Sequence, residues 1–158
     1  MTSVFFEYNK PKVIQALRYH FISRKEIKLM MILVNVFAIF SAALYYFKKI
    51  SPAAFLMSSM LWFVLMILFW FLLPLFIYRK TKLFRSQFRV SVTEDFFMLE
   101  HETTTKRYHW PDFSNWMESP HFFHLYFNPT SFFLIPKDAF DSELERMVRK
   151  MFSAKIKS

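Results

Sequence analysis

Neither cysteine nor glycine occurs anywhere in the 158 residues. Without cysteine there is no disulfide framework, no thiolate metal site and no nucleophilic thiol. Without glycine there is no Gly-rich loop to cradle a phosphate. GxGxxG and Walker-type fingerprints are therefore excluded, and the common kinds of nucleotide chemistry with them. A third absence is local: no charged residue lies between Leu29 and Phe47, or between Ala53 and Tyr78. The first run offers 19 positions and the second 26, against about 20 needed to cross a bilayer as a helix. A chain of this length has no soluble core large enough to hide both. The pair reads as a transmembrane hairpin that turns at Lys48-Lys49-Ile50-Ser51-Pro52.

What is abundant agrees with that reading. Hydrophobic residues make up 54% of the chain, and 23 residues are phenylalanine, well above ordinary soluble usage. The formal net charge of +9 is unevenly placed. Thirteen basic residues face two acidic ones before residue 90, whereas eight basic face ten acidic from there on. A nucleic-acid footprint would lie on the globular part, so nucleic acid is not an expected partner. Eleven of those thirteen Lys/Arg flank the outer ends of the two runs and two lie in the connecting loop. By the positive-inside rule both termini face the cytoplasm. The other reading of the first run is a cleaved signal peptide with Ser41-Ala42-Ala43 at its cleavage region. Its apolar length and the 28 residues before it count against that.

Residues 10–28 place Val13, Ile14, Leu17 and Phe21 among basic side chains, as a basic amphipathic helix does. That face lies either at the membrane surface or on the C-terminal domain. Asn35 is the only strongly polar side chain of the first run, and Ala38/Ala42 and Ala54/Ser58 are small-xxx-small pairs that let helices approach. The second run is longer than a bilayer core. Tilt absorbs the excess, and Pro74 removes a backbone donor and kinks its end. Neither run holds an ionisable residue of the kind ion and proton pathways use. Beyond residue 85 the period changes to two: Phe88–Val92, a turn at Thr93-Glu94-Asp95, Phe96–His101 and Thr103–His109. Pro111 then breaks the pattern before Phe113–Met117. His121–Phe127 and Ser131–Ile135 flank a turn at Asn128-Pro129-Thr130. A helix follows, capped by Asp141 or Ser142, with Ser142 and Glu145 spaced as a capping box. Its apolar face comprises Leu144, Met147, Val148, Met151 and Phe152.

Two spans are thus followed by strands, then Tyr108-His109-Trp110 with Asp112-Phe113, then Phe132–Phe140 containing Ile135-Pro136-Lys137 and Phe140. In this order and in these motifs the chain resembles the YcxB-like family of bacterial membrane proteins, with Trp110, Ile135, Pro136, Lys137 and Phe140 carrying the likeness. Tyr8 and Tyr19-His20 are similar to the family's N-terminal segment. The resemblance implies a C-terminal domain related to pleckstrin-homology folds and a place in the bacterial cytoplasmic (inner) membrane. It implies no biochemical activity. Relatives tend to carry a glycine in the turn after the first strand; here Asp95 is followed by Phe96.

The expected fold is an α+β membrane protein: a two-helix transmembrane hairpin, then a small antiparallel β domain, pleckstrin-homology-like, closed by a C-terminal α-helix. Residues 1–28 form the cytoplasmic N-terminal segment, 29–78 the hairpin (helices 29–47 and 53–78), and 79–158 the YcxB-like domain. Candidate sites are few. His121 and His124 fall on opposite faces of a strand, while a hairpin brings His101 and His109 closer. With no HExxH spacing, no metal site is assigned. Glu100 and Glu102 share a strand face, where carboxylates are usually only solvated. Thr103, Thr104, Thr105 and Ser114 have no evident activating base. Trp110, Phe113 and Trp116 read as core, with Phe113 and Trp116, together with Asn35, as a candidate interface. Lys137 shapes the entry to the last helix or, by fold analogy, meets a phosphate. Arg79, Lys80, Lys82 and Arg85 form a basic membrane collar. The function expected is a non-enzymatic, membrane-anchored, cytoplasmic-facing interaction module without cofactor. It binds a protein segment or an anionic lipid head group, or self-associates. The alternative is a small oligomeric transport or channel subunit built from the hairpin and lined by Asn35. A lipid enzyme ranks third, for want of a nucleophile with its base.

Overall fold

The computed structural model describes residues 1–101 and 104–156. The chain divides into two compact units, Leu17–Lys80 and Met1–Ala16 together with Thr81–Ser158.

Helix α1 (Lys10–Ser23) begins in one unit and ends in the other. The helix expected over 10–28 is interrupted at Arg24, whose backbone is extended (φ −74°, ψ 126°). The Ser23 hydroxyl donates back to the His20 carbonyl at 2.7 Å, a local bond that competes with helix propagation. Helix α2 (Lys25–Tyr46) then starts four residues ahead of the apolar run. It ends with Lys48 in the left-handed region (φ 54°), closed by Lys49 N–H to the Leu44 carbonyl at 2.8 Å and Lys48 N–H to the Tyr45 carbonyl at 2.9 Å. Helices usually place glycine there because a Cβ is unfavourable. This chain has no glycine to offer.

Ser51 caps the second long helix by accepting from Ala54 N–H, and Pro52 occupies its first turn, where a missing N–H costs nothing. That helix, Pro52–Lys80, consists of α3 (Pro52–Ile67), a π turn (Leu68–Leu72) and α4 (Leu73–Lys80). The hairpin is fastened by a Ser41–Ser58 hydroxyl bond of 2.5 Å and by Tyr45 stacked on Phe55 at 4.6 Å. Both helices are long and apolar enough to cross a membrane, and only 6% of each apolar window is buried within the chain. A core helix of a soluble protein would be mostly covered. Here Ile39, Leu56 and Met57 stand out from the chain, 70–74% exposed.

The second unit holds two three-stranded antiparallel sheets. The first is β1 (Phe88–Val92), β2 (Phe96–His101) and β3 (Thr104–His109). The second is β4 (Asn115–Glu118), β5 (Phe122–Asn128) and β6 (Ser131–Pro136). The β1–β2 turn is made without glycine: Thr93 Oγ1 donates to the Phe96 carbonyl and accepts from Phe96 N–H. Asn128 Oδ1 holds the β5–β6 turn by accepting from Thr130 N–H, Thr130 Oγ1 and Ser131 N–H. The strand expected from Phe113 starts at Asn115, because Phe113 closes the 3₁₀ turn Trp110–Asp112 and is buried.

Helix α5 (Ser142–Lys155) covers the sheets. Asp141 is its cap, accepting from Glu143 and Leu144 N–H. The expected Ser142–Glu145 capping box does not form, since Glu145 turns instead to Arg149. Val148 and Phe152 are fully buried, whereas Met147, expected on the same face, is exposed. One core runs through the unit, with Val90, Val92, Phe97, Phe123, Leu125 and Ile135 from the sheets. Residues Met1–Phe6 complete it. They run along the outer edge of β1, with Ser3 N–H to Val90 O and Phe6 N–H to Phe88 O both at 2.8 Å, and they place Phe6 in the core.

Candidate functional site

The alternation of β1, β2 and β3 builds the inner face of the first sheet in rows. Register pairs Val90 with Leu99 and Leu99 with Lys106; the flanking rows are Phe88, His101, Thr104 and Val92, Phe97, Tyr108. The third column of this core-side face is therefore Thr104, Lys106 and Tyr108, where apolar residues would continue the core. Among the described residues no strand pairs with the far side of β3, and five of its six residues are exposed. A cleft of 330 Å³ lies along this seam, within one unit, bounded by Phe88, Leu99 and Phe133 below and Lys82, Thr104 and Lys106 around. Tyr108 packs its ring on Phe127 and Phe133, at 5.2 and 5.5 Å, and burial pushes its phenol above the ordinary value. His101 rests its imidazole on the Phe88 ring at 5.1 Å. Among the described residues neither Lys82 nor Lys106 has a carboxylate partner.

A second, more polar hollow of 320 Å³ beside His121, Lys137 and Ser142 is different in kind, because its charges are matched. Lys12 meets Asp138 at 2.7 Å. Lys137 meets Glu118 at 2.5 Å and lies over the Phe123 ring. Arg149 donates to both oxygens of Glu118, at 3.0 and 2.8 Å, and to Glu145 at 2.6 Å. Arg149 above all, and Lys137 with it, holds the Glu118 carboxyl below its usual range against the opposing effect of burial. Lys137 thus ties β4 to the entry of α5, and its ammonium is engaged rather than presented to a phosphate.

The other motif residues are packed. Trp110 is buried, donating its indole N–H to the Glu94 carbonyl at 2.9 Å. Ile135, Pro136 and Phe140 are buried. Phe113 stacks on Phe127 at 4.9 Å and is 5% exposed, so its ring has no face left for a partner. Trp116 is half-buried against Phe123 and Phe152. Asn35 uses its amide inside the hairpin, donating to the Met31 carbonyl at 2.8 Å and accepting from Trp62 Nε1 at 3.3 Å. It lies with Ala38, Ala42 and Ser58 along a shallow cleft of the hairpin. Arg79 and Lys80 are exposed at the end of α4, and Lys82 and Arg85 are exposed in the 3₁₀ turn that follows.

The remaining candidates do not converge. His101 pairs with Thr104 and His109 with Phe96, at opposite ends of the β2–β3 ladder; the hairpin does not bring the two rings together. His121 is exposed just before β5, while His124 is buried and bonded to Ser119 Oγ at 2.9 Å. Glu100 faces Arg89. Glu102 and Thr103 lie outside the described residues. Ser114 Oγ donates to the Tyr126 carbonyl.

One contact within Leu17–Lys80 had no sequence signal. Arg18 Nε donates to the Trp70 carbonyl at 2.9 Å, and its guanidinium lies 5.3 Å from the centroids of both Trp70 and Phe71. The regular α-helical donor to that carbonyl is the amide of residue 74, which proline lacks. Arginine's fork replaces it.

Residues 92–151 match the family described as YcxB-like protein, a span containing Trp110, Ile135, Pro136, Lys137 and Phe140. Comparison with curated proteins and with solved structures gives no match.

Proposed function

We propose that this chain is a multi-pass protein of the bacterial inner membrane, whose hairpin anchors a pleckstrin-homology-like domain at the cytoplasmic face. There the domain serves as an interaction module, not as an enzyme or a pore. One observation carries the reading: two adjacent long helices leave all but 6% of their apolar windows unburied within the chain. In water such a surface would aggregate, whereas in a bilayer it is the solvated surface. The flanking charge supports the orientation, since basic residues crowd the outer ends of both helices and only Lys48 and Lys49 lie in the turn. Arg79, Lys80, Lys82 and Arg85 hold the domain near anionic lipid, each contributing about 1 kcal/mol close to the surface.

The test uses the absence of any native cysteine. Single cysteines replacing Ser51 and Ser158 are expected to react with an impermeant maleimide from opposite sides of the membrane. Labelling of both from one side overturns the anchor.

A further inference from the structure

The seam between β3 and β6 combines two features that a merely structural surface does not need together. Its floor is apolar, yet the two lysines at its rim have no counter-charge among the described residues. Elsewhere in the same unit Lys12, Arg89, Lys137 and Arg149 sit on carboxylates. Among the described residues Arg85, Arg107, Arg146, Lys150 and Lys155 have none; Lys82 and Lys106 differ from these in lining one apolar cleft together. We propose that the seam takes the head of one anionic glycerophospholipid, its phosphate met by Lys82 and Lys106 and its glycerol laid over Phe88 and Leu99. Thr104 and the Tyr108 hydroxyl, which also line the cleft, supply neutral donors beside the phosphate.

Three observations select this occupant. The cleft measures 330 Å³, at the small end of ligand pockets, enough for a glycerophosphate head and not for two acyl chains. Lys82 follows by two residues the end of a helix long enough to span a bilayer, which makes lipid the most abundant anion in its neighbourhood. The open edge of β3 carries Lys106 and Arg107, charges that discourage the addition of a further strand; a peptide is thereby disfavoured. This inference rests on the membrane anchor proposed above.

The experiment uses the full chain in a nonionic detergent, with phosphatidylglycerol and phosphatidylcholine added in equal amounts and bound lipid counted by native mass spectrometry. One phosphatidylglycerol is expected to remain in preference to phosphatidylcholine. Lys106→Gln should lower that adduct about fivefold, the effect of one lysine near anionic lipid. Thr104→Trp, which fills the cleft without changing charge, should lower it as well. Arg79→Gln/Lys80→Gln/Arg85→Gln should retain it. Retention by either cleft variant, equal uptake of the two lipids, displacement by millimolar inorganic phosphate, or an acidic peptide found in place of the lipid each overturns the proposal. The maleimide result is independent, so opposite-side labelling without selective lipid leaves the anchor standing and removes only the seam ligand.

Discussion

His20 shows how one buried side chain couples the fold to pH. Its ring is buried beside Phe21, and burial first, then the charge of Arg24, lowers its pKa to about 4. An unfolded histidine takes up its proton near 6.5. Between these values the unfolded chain binds the extra proton, so this contribution to stability is complete above about pH 6.5 and is lost as pH falls toward 4. The melting temperature in detergent should therefore drop from pH 7 to pH 5, and His20→Gln should flatten the drop. An equal drop in both proteins would assign it to other groups. Lys137 makes a complementary point. In sequence it stands in a motif and invites a phosphate; in space Glu118 claims it.

At the scale of elements, the long helix ending at Lys80 depends on a residue far away in sequence. Pro74 leaves the Trp70 carbonyl without its regular donor, a π turn precedes it, and Arg18 supplies the missing hydrogen bond. In hydrocarbon an unmet carbonyl is costly. Arg18→Leu should destabilise the protein, and less so in a Pro74→Ala background that restores the amide. The double-mutant cycle should give a coupling of about 1 kcal/mol, read by thermal unfolding in detergent; simple additivity would sink the replacement argument. Most elements were legible in sequence because their period is local. Phe88, Val90 and Val92 alternate, and the two apolar runs announce themselves by length. The break at Arg24 was not legible, since the polar stretch Ser23-Arg24-Lys25-Glu26 holds neither proline nor glycine and fits a helical turn as readily as an interruption. The open seam left a faint trace: Thr104 to His109 is polar on both faces, which in a small β domain marks a strand that faces an opening. That Lys106 points to the core side and Arg107 away follows only from the register.

For the whole molecule, the least legible part was the first six residues. They are too short to show a period, and their partner strand lies beyond both long helices. Yet they cover the free edge of β1 and send Phe6 into the core, where it meets Tyr8 edge-on at 5.5 Å. Phe6→Ala should cost about 3 kcal/mol, measured by denaturant titration. Val4→Ala should cost little, because Val4 is 65% exposed. Equal effects would place the segment outside the core. This arrangement also sets an order of events during synthesis. Phe6 leaves the ribosome 82 residues ahead of its partner Phe88, a wait of roughly 4–16 s at 5–20 residues per second. During that interval both long helices are made. The domain therefore cannot close until the hairpin has emerged, so its completion reports that the hairpin has already been synthesised.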